Sequence, residues 1–223
     1  MNSHVVNKAI RRLIWPLLRE AGFTQFTTRY AWRYATGKID VVNFQSFNSY
    51  LADGLHCTTF SFAVNLGCSF DAIPGRATVE RMNGYLRPRE WECHFRLHLQ
   101  KTIPQPELKR TDIWYVDPSE QNLEIVIEDA RQAIMEIGLP WFDRFRSTQE
   151  VLRTLLEDAP SHEGTYGLGA NPSPIRHLII GYAALSLGKT EIAVEHIQAA
   201  LLSGCFKDLE PKMRAALEES NRG

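Results

Sequence analysis

The chain has no CxxC pair: its four cysteines, Cys57, Cys68, Cys93 and Cys205, are scattered through 223 residues. That spacing argues against a zinc ribbon, a dithiol redox motif or a disulfide-stapled scaffold, and reads as reduced thiols of a cytoplasmic protein. Long apolar runs are missing too. The stretches at residues 13–18 and 178–185 fall far below the roughly 20 residues a membrane span needs, and Pro16 interrupts the first. Preceded by Arg11 and Arg12, that first run is also too short for a secretion leader, so a soluble protein with no membrane partner is expected. There is no charge surplus, with 25 Lys+Arg against 26 Asp+Glu and a pI near 6.7. Nucleic acid is therefore not an expected partner, because phosphate binding draws on a basic excess. Gly164, Gly167 and Gly169 have no strand before them and no Lys-Ser/Thr after them, so they do not form a phosphate loop. What is there is a core: 44% of the residues are apolar, which excludes wholesale disorder.

Hydrophobic periodicity divides the chain into a mixed front and a helical back. Val6, Ile10, Leu13, Leu17 and Ala21 fall on one helical stripe, with a kink expected at Pro16. From Gln25 the period becomes two. Tyr30, Trp32 and Tyr34 share one face, and a turn at 36–38 leads into a second strand at 39–47. A third strand at 58–70 turns Phe60, Phe62, Val64 and Leu66 inward and Ser61, Ala63, Asn65 and Gly67 outward. A fourth at 89–100 places Cys93, Phe95, Leu97 and Leu99 on one face and Glu92, His94, Arg96 and His98 on the other, and a short fifth is expected at 113–116. Hairpin-joined strands predict an antiparallel sheet. Helices follow from Asp117-Pro118-Ser119-Glu120, ending at Gly138 and Pro140, and from Ser147-Thr148-Gln149-Glu150. The fold class is thus α+β: four to five antiparallel strands covered by helices on one face, with a C-terminal helical hairpin. Residues 1–158 form the α+β domain, 159–172 a glycine-rich linker and 173–223 a helical tail.

Five patches carry a resemblance. Leu17-Leu18-Arg19-Glu20-Ala21-Gly22-Phe23, Val41-Val42-Asn43-Phe44-Gln45 and Phe62-Ala63-Val64-Asn65-Leu66-Gly67 precede Glu92-Cys93-His94-Phe95-Arg96-Leu97 and Leu139-Pro140-Trp141-Phe142-Asp143-Arg144-Phe145. In that order they resemble a bacterial family known only as domain of unknown function 4304, over roughly residues 8–156. The resemblance implies a fold and no activity, so it assigns no catalytic residue. In the tail, Gly181, Gly188, Ala193 and Ala200 stand where a tetratricopeptide hairpin places its small residues, and about 30 residues resemble one such repeat. His177 replaces that repeat's usual large aromatic and Cys205 its proline. The alternative is a plain helical hairpin, packed on the sheet domain or on a final helix carrying Leu209, Met213 and Leu217.

The outward positions Asn43, Gln45, Asn65, Glu92, His94, Arg96 and His98 would meet on one side of the sheet if their strands pair as neighbours. Such a face either binds a carboxylate, a phosphate or a partner's backbone, or is simply the solvated side of a half-buried sheet. No metal is expected there, because His94 and His98 on one strand would stand about 13 Å apart. Trp141, Phe142 and Phe145 form an aromatic cluster that is either core or a partner-facing patch. Residues 1–38 hold seven Lys or Arg against Glu20 alone, whereas residues 119–163 hold ten acidic against four basic. The two surfaces would complement each other within the fold or in a homodimer. With no cofactor motif and no catalytic set, the expectation is a non-enzymatic protein-binding module, an adaptor or an immunity-type protein that neutralises or recruits its partner. The alternative is a small-ligand or anion receptor, or an enzyme, built around His94, Arg96 and His98.

Overall fold

The computed structural model describes residues 4–75, 79–157 and 164–220. The N-terminal stripe folds as two helices, α1 (His4–Leu13) and α2 (Trp15–Glu20), because Pro16 occupies the first turn of α2 and the chain breaks at Ile14. Four strands follow, β1 (Gln25–Phe26), β2 (Tyr30–Ala35), β3 (Lys38–Ser46) and β4 (Phe62–Phe70), with the short helix α3 (Ser49–Gly54) before β4. A separate hairpin, β5 (Arg81–Met82) and β6 (Tyr85–Leu86), leads through a 3₁₀ turn at Glu90–Glu92 into β7 (Phe95–His98). One further strand, β8 (Thr165–Tyr166), completes an antiparallel sheet of order β1-β2-β3-β4-β7-β8. The architecture is α+β and antiparallel, with six strands rather than four to five. β1 and β8 are two-residue pieces too short for an alternation pattern to register, and residues 113–116 supply only the bridge between Phe62 and Trp114.

One face of the sheet carries the main core. Ala31, Val42, Phe44, Val64, Leu66, Phe95 and Leu97 pack against α1, α2 and the later helices α4 (Leu123–Ala133), α5 (Leu139–Arg144) and α6 (Thr148–Glu157). Gly138 and Pro140 do not end α4. Pro140 has no N–H for the carbonyl four residues back, and the helix absorbs the loss as a π turn at Ile134–Gly138, with the Leu139 N–H bonded to the Ile134 carbonyl. Trp141, Phe142 and Phe145 follow on α5 and at its end, and are buried against Phe23 and Phe95. They form no surface patch: Trp141 meets Phe142 and Phe145 edge-on, and all three rings are core.

The opposite face is not an open solvated surface. Residues 86–90 lie over β2, and each outward aromatic tip of β2 donates a hydrogen bond to them. Tyr30 Oη reaches the Glu90 carboxylate at 3.1 Å, Trp32 Nε1 the Pro88 carbonyl at 2.9 Å, and Tyr34 Oη the Leu86 carbonyl at 2.9 Å. The overlay runs antiparallel to β2, one bond per outward residue. A second cover, built from Phe47, Ala52, Leu108 and Ile113, closes over Ala63. Gly67 allows the 3₁₀ turn to lie flat on the sheet, since a Cβ there would stand 2.7 Å from Cys93 Sγ and 3.1 Å from Glu90 Cα. Cys93 accordingly faces the overlay with Trp32 and Val41 rather than the inner core. Alternation within the fourth strand begins only at Phe95, because Glu90–Glu92 coils before it.

The tail helices α7 (Pro174–Ser186), α8 (Thr190–Leu202) and α9 (Glu210–Ser220) form an antiparallel stack. α7 packs on α6 and α8 on α9, and their apolar residues join the same core cluster as the sheet. Of the expected linker, residues 159–163 lie outside the described residues, and Thr165–Tyr166 is the edge strand β8. Gly181 lets α7 and α8 approach, since a Cβ there would meet Ile197 Cγ1 at 2.6 Å and Ile197 N at 3.0 Å. His177 and His196 face each other across the same contact with their Nδ1 atoms 2.9 Å apart.

Candidate functional site

Between the two covers on the outer sheet face a strip of polar residues is left. Tyr30, Asn43, Asn65 and His98 are consecutive cross-strand partners on β2, β3, β4 and β7. Asn43 and Asn65 in the middle of that row are buried, whereas Gln45 is exposed and His98 half-buried. Three of these side chains are bonded in series. Asn65 Nδ2 donates to Gln45 Oε1 at 2.9 Å, which turns its oxygen toward His98 Nδ1 at 2.6 Å. His98 Nδ1 therefore carries the proton, and Nε2 is left with a lone pair and no protein donor among the described residues. Burial lowers the His98 pKa, with Asp112 pulling it up and Arg96 pushing it down, so the ring is neutral near pH 7.

Arg96 lies on the same face, paired with Tyr166 of β8, whose ring meets His98 edge-on at 5.0 Å. Among the described residues its guanidinium has no ion pair within 4 Å. Two half-exposed aromatics accompany it: Trp91, 53% exposed, lines the same cavity as Arg96 and has the Arg89 guanidinium 5.9 Å from its ring centre, and Tyr166, 51% exposed, is the partner of Arg96 on β8. Neither was singled out by the sequence reading: Trp91 sits in the 3₁₀ turn and Tyr166 in the glycine-rich segment, where strand periodicity carries no information.

The remaining expected site residues are elsewhere. Glu92 is in the 3₁₀ turn, and its carboxylate accepts the Arg89 N–H at 2.7 Å as a cap. His94 lies in the bend before β7. Its Nδ1 accepts the Phe70 N–H at 3.1 Å, which leaves the neutral ring's proton on Nε2, a buried atom without an acceptor in hydrogen-bond geometry. Burial lowers the His94 pKa to about 4, outweighing the carbonyls of Ile73 and Pro74 and the charge of Asp71. Gln45, Asn65 and His98 are thus joined directly, Arg96 stands beside them, and Glu92 and His94 belong to a neighbouring wall. Among the described residues no three His, Cys, Asp or Glu side chains group as metal ligands.

Residues 14–144 match the family model described as Domain of unknown function (DUF4304), well over half of the chain. The chain belongs to the DUF4304 family. Within this DUF4304 protein the matched span includes the Gln45–Asn65–His98 series, Arg96 and Trp91, whereas Tyr166 and the whole tail lie beyond it. No curated protein and no solved structure matches the chain. No described helix is long and apolar enough to cross a membrane.

Proposed function

We propose that this DUF4304 protein is a non-enzymatic binding module of the adaptor or immunity type, which grips a partner protein with the β7–β8 edge of its sheet. The observation that carries the reading is the partly exposed strip of Tyr166, His98, Arg96 and Trp91, where two half-exposed aromatics accompany a guanidinium with no ion pair among the described residues. Aromatic residues and arginine are the side chains that concentrate binding energy at protein interfaces. The Gln45–Asn65 series holds His98 in one tautomer, so the strip offers a fixed acceptor at His98 Nε2 together with the guanidinium donors of Arg96. The free thiols Cys57, Cys68, Cys93 and Cys205 accord with a reducing, cytoplasmic setting.

The test is a paired purification of tagged full-length protein, wild type against the His98→Ala/Tyr166→Ala double variant, each checked for a native circular dichroism spectrum. One protein eluting at near-equal stoichiometry with wild type and absent from the variant supports the reading. A partner retained by the variant, or elution of the wild type alone across low and moderate salt, overturns it.

A further inference from the structure

A cavity of about 470 Å³ opens where the tail meets the sheet edge, beside the strip but distinct from its His98 end. It is lined by Trp91 and Glu92 of the 3₁₀ turn, by Arg96 of β7, and by Ile175, Leu178 and Ile179 of the first turns of α7. That volume lies in the range of small-molecule sites, and such sites favour the junction between packed units. We infer that the protein binds a small monocarboxylate with a flat apolar body in this cavity, its carboxylate held by Arg96 and its body between Trp91 and α7. This goes beyond the proposed partner surface, because the α7 wall belongs to the tail and lies outside the family span.

Charge selects the ligand class. Arg96 is the cation of the cavity wall, and among the described residues no carboxylate lies within ion-pair distance of it. A guanidinium beside apolar walls pairs with a planar carboxylate in bidentate fashion. Glu92 also lines the cavity, with its carboxylate already engaged at the Arg89 N–H. One cation opposed by one fixed anion disfavours a phosphate dianion and leaves the monocarboxylate. Trp91, half exposed at the mouth, supplies the face on which a flat body stacks.

The experiment is isothermal titration calorimetry of the full chain with phenylacetate, phenylpropionate and indoleacetate, each against its alcohol: phenylethanol, phenylpropanol and tryptophol. Saturable one-to-one binding of at least one acid is expected, with its alcohol weaker by about tenfold, the worth of one charged hydrogen-bonded pair. Arg96→Gln should cost the acid about tenfold and leave the alcohol unchanged, and Trp91→Ala should weaken both. Both positions are partly exposed, so neither change threatens the fold. Failure of all three acids to saturate at millimolar concentration, equal affinity for an acid and its alcohol, or unchanged acid binding in Arg96→Gln would each overturn the assignment.

Discussion

His94, just before β7, and His98, at its end, are held in opposite tautomers. His98 donates from Nδ1 and keeps an outward acceptor, whereas His94 accepts at Nδ1 and hides its N–H. The consequence of the second arrangement is a pH dependence. The unfolded chain protonates His94 with a pKa near 6.5, and the folded protein resists until about 4. Between those values the unfolded state binds more protons, so stability is full above pH 6.5 and falls as pH drops toward 4, by about 3 kcal/mol from this residue. Urea denaturation of wild type and His94→Asn should show it, because the Asn oxygen preserves the bond to the Phe70 N–H while removing the titration. The difference between the two should shrink or reverse with acidification, and parallel pH profiles would refute it. A second residue-scale commitment lies on the inner face. Asp40 bonds Lys38 Nζ and Arg33 at 2.8 Å each and accepts from Cys68 Sγ at 3.2 Å, while Lys38 Nζ also donates to the Phe142 carbonyl at 2.9 Å. Asp40→Ala would strand a buried ammonium and should cost about 3–5 kcal/mol of unfolding free energy in urea denaturation. None of this network was legible in the sequence. By local pattern Lys38 belongs to the turn at 36–38, and only the Asp40–Lys38–Arg33 register reveals that three charges share the core face.

At the scale of elements, local pattern and tertiary cover diverge in an instructive way. The alternation of Tyr30, Trp32 and Tyr34 correctly placed all three on one face of β2, and the antiparallel hairpin with β3 follows from the same reading. What alternation does not carry is what lies over a face. The overlay at residues 86–90 is held by three side-chain tips across 52 to 60 residues of sequence, and no periodicity in either segment announces it. His94 was misplaced for a related reason: a strand drawn through 89–100 assumes extended backbone where Glu90–Glu92 coils. The tail hairpin was more legible, because small residues at helical spacing state a close approach directly. Gly181 turns that into a measurable conflict between two effects. Alanine gains about 1 kcal/mol of helix propensity over glycine. The added Cβ, however, would sit 3.0 Å from the Ile197 backbone nitrogen, and overpacking against backbone costs about 1–3 kcal/mol. Packing should win, so Gly181→Ala should lower the urea midpoint. A raised midpoint would mean that the two helices are further apart than drawn.

Across the whole molecule, the sheet and the tail helices share the main core. Apolar side chains from every helix except α3 belong to one buried cluster, and β8, from the segment expected to be a linker, completes the sheet edge by pairing with β7. Trp141 Nε1 donates to Thr165 Oγ1 at 3.0 Å, which ties that edge to α5 as well. The buried guanidinium of Arg176, on the first turn of α7, donates to the Leu155 carbonyl at the end of α6 at 2.7 Å. A tail joined by packing, strand pairing and a buried polar bond has no free surface of its own on which to remain folded once the sheet melts. Cooperativity should therefore extend over the chain. Calorimetry should give one transition whose calorimetric and van't Hoff enthalpies agree. Far-ultraviolet circular dichroism, dominated by helices, should fall together with the near-ultraviolet signal of the aromatics in the sheet core. A separate helical transition persisting after the aromatic signal is lost would restore the two-domain description. It would also detach the α7 wall from Arg96, so the same result would remove the physical basis for a rigid cavity between them.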